Sequence, residues 1–105
     1  MQEISVLELK KMLDAGEPVC IIDVREPYEA EICSIGGTLI PMGEILDRMH
    51  EIPKEGKVVM HCRSGGRSST VIHVLETEFG YTNLYNLKGG ILAWVESVDN
   101  SMMSY

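Results

Sequence analysis

The residues best suited to chemistry form one short run, Cys62 to Ser68, which reads Cys-Arg-Ser-Gly-Gly-Arg-Ser. The run lies between an apolar segment that predicts a β-strand and an amphipathic segment that predicts a helix. Gly65 and Gly66 allow backbone conformations closed to other residues, so successive amides can turn inward and form a concave, anion-binding nest. The N-terminus of the following helix adds amide donors and partial positive charge. The sequence therefore predicts an anion site around Cys62.

Cys62 is the candidate nucleophile of this site. A free cysteine has a pKa near ~8.5, and a helix N-terminus with neighbouring arginines lowers that pKa, so a larger share of Cys62 would be the reactive thiolate. Arg63 and Arg67 supply the local cations that an acidic chain needs to attract a small anion such as thiosulfate. If Cys62 were instead a small core residue in a tight turn, the two arginines beside it would have no packing role.

The elements around this run alternate between short apolar segments and amphipathic segments, which is typical of a parallel α/β sheet. Ser5 and Glu8 form a capping box that opens a first helix, and Ala15-Gly16 ends it. Ligand sites in parallel sheets form at the carboxyl ends of strands, so position alone marks the run after His61 as a candidate site. Strands are predicted at 19–24, 38–40, 57–61 and 83–87, and further helices at 27–32, 41–49, 67–79 and from 91 onward.

Length, charge and cysteine usage exclude several classes of protein. A chain of 105 residues predicts one domain, residues 1–105. Its charge of -7, from 16 acidic and 9 basic residues, argues against nonspecific binding to nucleic acid or acidic membranes. No run approaches the roughly 18 uncharged apolar residues that span a bilayer. Cys20, Cys33 and Cys62 have no paired or metal-binding spacing, so we expect free thiols, no metal site and a cytoplasmic location.

The run Cys62 to Ser68 resembles the active-site loop of the rhodanese family, Cys-x-x-Gly-x-Arg. Ile21 to Glu26 (IIDVRE) with Glu29 is similar to the family's DVRE…E segment, and Gly89-Gly90-Ile91 with Trp94 resembles its closing GG…W element. The resemblance covers nearly all of the chain. It implies an α/β fold with a five-stranded, mainly parallel sheet flanked by helices on both faces, and a catalytic cysteine that alternates between thiol and persulfide.

The chain departs from the family pattern in one loop. Where many members read His-Ile-Pro-Gly-Ala, this sequence has Ser34-Ile35-Gly36-Gly37-Thr38. The change concerns the shape of the cleft beside the active-site loop and leaves the nucleophile in place. The Ile-Gly-Gly variant resembles rhodanese domains attached to adenylating enzymes that activate sulfur-carrier proteins.

The resemblance implies a double displacement on Cys62, with no metal or organic cofactor. The thiolate attacks the outer sulfur of a small anionic donor, and a thiol, cyanide or a sulfur-carrier protein later removes that sulfur. Asp23 and Arg25 are expected to brace the loop by hydrogen bonding instead of touching substrate. The residues expected to bind substrate and persulfide are those of the loop, whose amides would stabilise the anion: Arg63, Ser64, Gly65, Gly66, Arg67 and Ser68.

Two other functions stay open at this point. Related phosphatases and arsenate reductases place one residue more between Cys and Arg, whereas four residues separate Cys62 from Arg67 here and make a smaller nest, better suited to one sulfur atom. A noncatalytic, partner-binding rhodanese-like module is the second alternative, and the retained Cys62 counts against it. Cys33 could serve as a redox switch, although we expect it to be a semi-buried structural residue.

Overall fold

The computed structural model describes residues 1–105 as five parallel strands with helices on both faces of the sheet. Spatial order in the sheet is β1-β5-β4-β2-β3, and every neighbouring pair is parallel. The strands are β1 Gln2–Ile4, β2 Cys20–Asp23, β3 Thr38–Leu39, β4 Val58–His61 and β5 Leu84–Leu87. The helices are α1 Val6–Asp14, α2 Pro27–Ile32, α3 Gly66–Phe79 and α4 Gly90–Ser97. The predicted fold class is confirmed.

Local capping explains where the first two helices begin. The Ser5 hydroxyl accepts a hydrogen bond from the Glu8 amide at 3.0 Å and so satisfies a free donor in the first turn of α1. Pro27 opens α2, where a missing amide hydrogen costs nothing, and Glu26 and Glu29 form a reciprocal capping box around it. None of the helices is both long enough and apolar enough to cross a bilayer.

The central strand β4 is buried on both faces, which holds the start of the candidate loop rigidly. Met60 packs with Ile72 of α3 on one face, and Val59 packs with Leu9 of α1 on the other. Each of these side chains is fully buried. A fully buried aliphatic side chain contributes roughly 1.5–3 kcal/mol, so β4 is anchored by the core of the molecule.

The helix predicted at 41–49 is wrong, whereas the other predicted elements appear within one residue of their bounds. The segment instead forms two short 3₁₀ turns, Met42–Glu44 and Met49–Glu51. Ile45 is buried but Leu46 is 60% exposed, so the segment has no continuous apolar face that packing could stabilise as an α-helix. Arg48 bonds to carboxylates on both sides of it and holds the turns together.

Candidate active site

The Cys62 loop, Cys62–Ser68, lies at the carboxyl edge of the sheet between β4 and α3. Asp23 of β2 pairs in register with His61 of β4, and Asn86 of β5 pairs with Met60. Polar residues from three strands therefore meet behind the loop. The switch from strand to helix within four residues gives the loop its tight turn.

The Cys62 sulfur lies at the bottom of the loop, and the side chain is 1% exposed. Its Sγ accepts a hydrogen bond from the Gly65 amide at 3.1 Å, and Ser68 Oγ lies 3.5 Å away. Burial raises the pKa of the Cys62 thiol, but the hydrogen bonds offered to the sulfur outweigh it, those from the amides of Ser68, Gly65 and Ser64 among them, so the pKa falls below the ordinary value. The Gly65 amide therefore points at the sulfur.

Of the two loop glycines, only Gly65 uses the freedom that glycine provides. Its φ of +115° is a conformation that residues with a side chain rarely adopt, whereas Gly66 has no positive φ and begins α3. The left-handed turn at Gly65 sends its own amide back toward Cys62. The sequence predicts a nest in which both glycines adopt unusual backbone conformations, whereas in the structure only Gly65 does so.

Gly90, outside the loop, allows the first turn of α4 to pack closely against the loop backbone. The amides of Ile91 and Leu92, in the first turn of α4, donate to the carbonyls of Cys62 and Arg63 at 3.0 and 3.1 Å. Gly90 has φ +61°, and a Cβ there would lie 2.4 Å from the Arg63 oxygen. With those carbonyls turned toward α4, the loop is free to turn its amides toward Cys62 Sγ.

Arg67 is bound on both terminal nitrogens by the carboxylate of Glu29. Its Nη1 and Nη2 donate to Glu29 Oε2 and Oε1, each at 2.8 Å. Glu29 is buried, and the bonds from Arg67 outweigh its burial, lowering the pKa of the carboxyl to about 2. The pair ties the start of α3 to α2, so Arg67 is neutralised within the chain.

Asp23 and Arg25 form a second bidentate pair, buried behind the first. Arg25 Nε and Nη2 donate to the two Asp23 oxygens at 2.9 and 2.8 Å, and its other bonds include the carbonyls of Glu29 at 3.3 Å and Cys33 at 2.8 Å. These hydrogen bonds go to α2 and its end, not to the Cys62 loop itself. The pair reaches the loop through Glu29, which in turn holds Arg67.

Arg63 has a different kind of partner, the main-chain oxygen of Tyr105. Arg63 Nε donates to that oxygen at 2.7 Å and Nη2 makes a second bond to it, while the guanidinium lies 5.1 Å from the centre of the Tyr105 ring. The Tyr105 hydroxyl donates to Glu29 Oε1 at 2.8 Å and accepts from Arg25 Nη1 at 3.1 Å. Tyr105 therefore connects all three arginines of the site.

Three further residues that contact the site differ in how well the sequence predicts their role: Asn86, Glu29 and Tyr105. Asn86 is a polar residue in the apolar run of β5, and this irregularity is a usable signal. Glu29 is marked only by its match to the family's DVRE…E segment. Tyr105 lies 80 residues from Arg25 in a segment without periodicity, so nothing in the sequence indicates its position.

His61 and Cys33 lie beside the site. His61 is fully buried, its Nδ1 lies 3.3 Å from the Cys62 carbonyl oxygen, and its Nε2 has no hydrogen-bond partner. Burial lowers the pKa of His61, so the ring is neutral at pH 7 and supplies no positive charge to the sulfur. Cys33 is buried with its sulfur 3.9 Å from Arg25 Nη1. It is more buried than the semi-buried structural residue that the sequence predicts, and the redox switch stays an untested alternative.

Comparison with known proteins gives one consistent family. The family model described as "Rhodanese-like domain" matches residues 5–97. The chain is 41% identical over 95 residues to a sulfurtransferase of Allochromatium vinosum, covering 90% of this chain and 88% of that protein. It is 33% identical over 101 residues to "Probable adenylyltransferase/sulfurtransferase MoeZ" of Mycobacterium tuberculosis, covering 93% of this chain but only 26% of that protein. The chain thus spans about a quarter of that relative.

A solved structure gives the same result for the fold. The crystal structure of a rhodanese-like domain protein from Staphylococcus aureus matches with a TM-score of 0.82 at 31% identity. That match covers 100% of this chain and 99% of the other. The likeness therefore extends over the whole sheet and all the elements that surround the Cys62 loop.

Proposed function

This chain belongs to the family of rhodanese-like domains, and from that premise we propose that it is a sulfurtransferase that carries sulfur as a persulfide on Cys62. One observation carries the proposal. The Cys62 sulfur accepts a hydrogen bond from the Gly65 amide at 3.1 Å. The carbonyls of Cys62 and Arg63 bond to amides of α4 instead of facing the sulfur. Such an arrangement stabilises an anionic sulfur without any metal.

The first step loads the cysteine. The Cys62 thiolate attacks the outer sulfur of a donor such as thiosulfate, forming an Sγ–S bond. The bond between the outer sulfur and the sulfonate sulfur breaks, and its electron pair leaves with sulfite. The negative charge that began on Sγ now rests on the terminal sulfur of the persulfide. The main-chain amides at the start of α3 are the donors available to it.

Arg63 is the group best placed to meet an anionic donor. Arg25 and Arg67 are each paired with a buried side-chain carboxylate, whereas Arg63 bonds to a single main-chain oxygen, that of Tyr105, which lies outside the helices and strands. A sulfonate offers a guanidinium several charged oxygens at once. We expect the donor to displace the Tyr105 main-chain oxygen from Arg63 as it enters.

The second step returns the enzyme to its starting state. A nucleophilic acceptor, a thiolate or cyanide, attacks the terminal sulfur and forms a bond to it, the Sγ–S bond breaks, and its electron pair restores the Cys62 thiolate. The acceptor class includes small thiols, cyanide and sulfur-carrier proteins. A carrier is supported by the relative that joins a sulfurtransferase to an adenylyltransferase in one chain.

Mass spectrometry of the intact protein tests the proposal. After incubation with thiosulfate, the chain should gain one sulfur atom on Cys62, and cyanide should remove it with formation of thiocyanate. Cys62→Ser should give neither the adduct nor turnover. Cys20→Ser is the matched control, because Cys20 is a free, half-buried thiol in β2 that should load nothing.

The outcome that would overturn the proposal is equally clear. Thiosulfate and protein persulfides should each be tried as donors, so that a narrow donor preference is not taken for inactivity. A chain that gains no sulfur from either, or gains it on another cysteine, does not carry sulfur on Cys62. Hydrolysis of an aryl phosphate by the same sample would instead support the phosphatase alternative.

A further inference from the structure

The Ser68 hydroxyl has one hydrogen and three acceptors within reach. The acceptors are Asn86 Oδ1 at 2.6 Å, the Gly65 carbonyl at 3.2 Å and Cys62 Sγ at 3.5 Å. A hydroxyl donates only one strong hydrogen bond at a time. Sulfur is larger than oxygen and its hydrogen bonds are longer, so Cys62 Sγ at 3.5 Å is still within reach, but the 2.6 Å contact with Asn86 is the short, strong one. The sulfur is therefore the weaker competitor for this hydrogen.

The direction of the Asn86 amide is fixed by its other contact. Asn86 Nδ2 donates to the Gly65 carbonyl at 3.2 Å. Exchanging the amide nitrogen and oxygen would place two oxygens against each other at Gly65, so the hydrogen-bond network assigns Oδ1 to the side of Ser68. An amide oxygen has no hydrogen to give. The hydrogen between Asn86 and Ser68 must therefore come from the Ser68 hydroxyl.

This assignment determines what Ser68 presents to Cys62. With its hydrogen on Asn86, the hydroxyl turns lone pairs toward Sγ, and these can accept from a protonated thiol but cannot stabilise a thiolate. The hydroxyl could turn its hydrogen to the thiolate only by leaving Asn86 Oδ1 without a partner. Ser68 and Asn86 are both buried, where an unpaired acceptor is costly.

We propose that Asn86 is a positioning residue for sulfur transfer, whose side-chain amide holds the Ser68 hydroxyl on itself and leaves the Cys62 sulfur to the main-chain amides of the loop. This inference rests on the proposed function. In the thiolate form the charge is on Sγ, which is then short of one donor. In the persulfide form the charge has moved to the terminal sulfur, and the missing donor matters little. Asn86 thereby favours the loaded form over the free thiolate.

A substitution at Asn86 also removes its hydrogen bond to the Gly65 carbonyl, which still accepts from the Ser69 amide at 3.0 Å. The carbonyls of Cys62 and Arg63 stay bonded to α4, so we expect the backbone amides of the loop to keep their positions. The titratable and charged groups that surround the loop are Asp23 and Arg25 at the end of β2, Glu29 of α2, His61 of β4, Arg63 of the loop, Arg67 of α3 and the Tyr105 phenol.

The pH dependence of Cys62 alkylation by iodoacetamide tests the proposal, because the thiolate alone reacts and no sulfur donor is involved. In Asn86→Ala the hydroxyl becomes free to donate to the thiolate. The midpoint of the profile should fall by about one pH unit, a tenfold change in the ratio of thiolate to thiol. Ser68→Ala alone should move it little, and the double variant should lose the fall seen in Asn86→Ala.

Two further variants separate this role from a general structural one. Asn86→Leu removes the amide with less change in volume, and should shift the midpoint in the same direction if Asn86→Ala proves unstable. Asn83→Ala is the matched control, because Asn83 also donates two bonds to main-chain carbonyls, those of Pro53 and Gly56, away from the site. It should leave the midpoint where it is.

A second measurement determines the fraction of Cys62 that is persulfide. At a fixed thiosulfate concentration, the sulfite concentration that leaves half of Cys62 as persulfide should be several-fold lower in Asn86→Ala, because the substitution stabilises the thiolate and not the persulfide. An unchanged or raised alkylation midpoint in both Asn86 variants would overturn the proposal. So would a Ser68→Ala shift equally large with and without Asn86. Alkylation needs no sulfur transfer, so failure of the proposed function would show separately, as absence of the persulfide.

Discussion

Two arginines at opposite ends of the Cys62 loop are held in different ways. Arg67 bonds with both terminal nitrogens to a buried carboxylate, that of Glu29. Arg63 bonds to a single main-chain oxygen, that of Tyr105. A bidentate pair with a carboxylate fixed in a helix is a permanent part of the architecture, whereas one main-chain oxygen outside the helices and strands can be exchanged for the several oxygens of an anionic ligand. We therefore propose that Arg67 shapes the loop and that Arg63 is available to a ligand.

The largest effect is expected on stability when Arg67 is removed. Arg67→Ala leaves the buried Glu29 carboxylate without its counter-charge and should lower the free energy of unfolding by about 2–3 kcal/mol, somewhat below the range for fully buried pairs because the guanidinium is 36% exposed. Urea denaturation measures it. Arg48→Ala is the control, since its exposed pairs with Glu44 and Glu51 contribute less than about 1 kcal/mol. An equal loss of unfolding free energy in Arg67→Ala and Arg48→Ala would contradict the structural role assigned to Arg67.

Low pH should weaken the same contact between Arg67 and Glu29, because it protonates the Glu29 carboxylate. The pKa of Glu29 is about 2 in the folded chain, below the ordinary value of about 4.3 in the unfolded chain. Its stabilising contribution is complete above the unfolded pKa and is lost as pH falls toward 2, so roughly 2 kcal/mol should disappear between pH 6 and pH 3. Glu29→Gln should be less stable at pH 6 and flatter over that interval. A variant as steep as the wild type would assign the acid sensitivity to other carboxyls.

Removal of Arg63 should affect the reaction instead of the fold. In Arg63→Ala the second-order rate of persulfide formation from thiosulfate should fall about 10- to 30-fold, the equivalent of one lost charge-assisted hydrogen bond, while unfolding changes by less than about 1 kcal/mol. Alkylation by uncharged iodoacetamide should change far less. If both reactions slow equally, Arg63 acts on the cysteine and not on the donor.

The smallest effect is expected at Tyr105. Tyr105→Ala removes the ring and the hydroxyl that hold the competing main-chain oxygen over Arg63, so the KM for thiosulfate should fall about two- to fourfold, the equivalent of less than about 1 kcal/mol. Tyr105→Phe keeps the ring beside Arg63 and should give a smaller change. Tyr28→Ala removes a tyrosine that is 65% exposed and should give none. A raised KM in Tyr105→Ala would instead make Tyr105 part of the donor site.

Local patterns were sufficient to predict most of the sheet and the position of the Cys62 loop. Continuous apolar runs such as Val58–His61 predict a strand buried on both faces, and the turn into α3 is set by neighbouring residues. The helix prediction for 41–49 is wrong because the apolar residues of this segment have helical spacing but do not all pack against the rest of the protein. Leu46 is exposed where the spacing alone predicts burial.

The contacts around the loop are harder to predict because they join distant parts of the chain. The two loop arginines look equivalent in sequence, and only the fold reveals that one faces Glu29 and the other Tyr105. Similarly, the amide of Asn86 acquires its direction from Gly65, 21 residues earlier. Residue type indicates which groups can bond, whereas the choice of partner depends on tertiary packing.

The close approach at Gly90 has a consequence for how the site comes into being. The carbonyls of Cys62 and Arg63 acquire their partners only when the amides of Ile91 and Leu92 dock against them. During synthesis, Cys62 therefore leaves the ribosome well before the groups that lock its surroundings. Until α4 has docked, the carbonyls of Cys62 and Arg63 lack these partners, so we expect the loop to reach its final geometry only after α4 has been made.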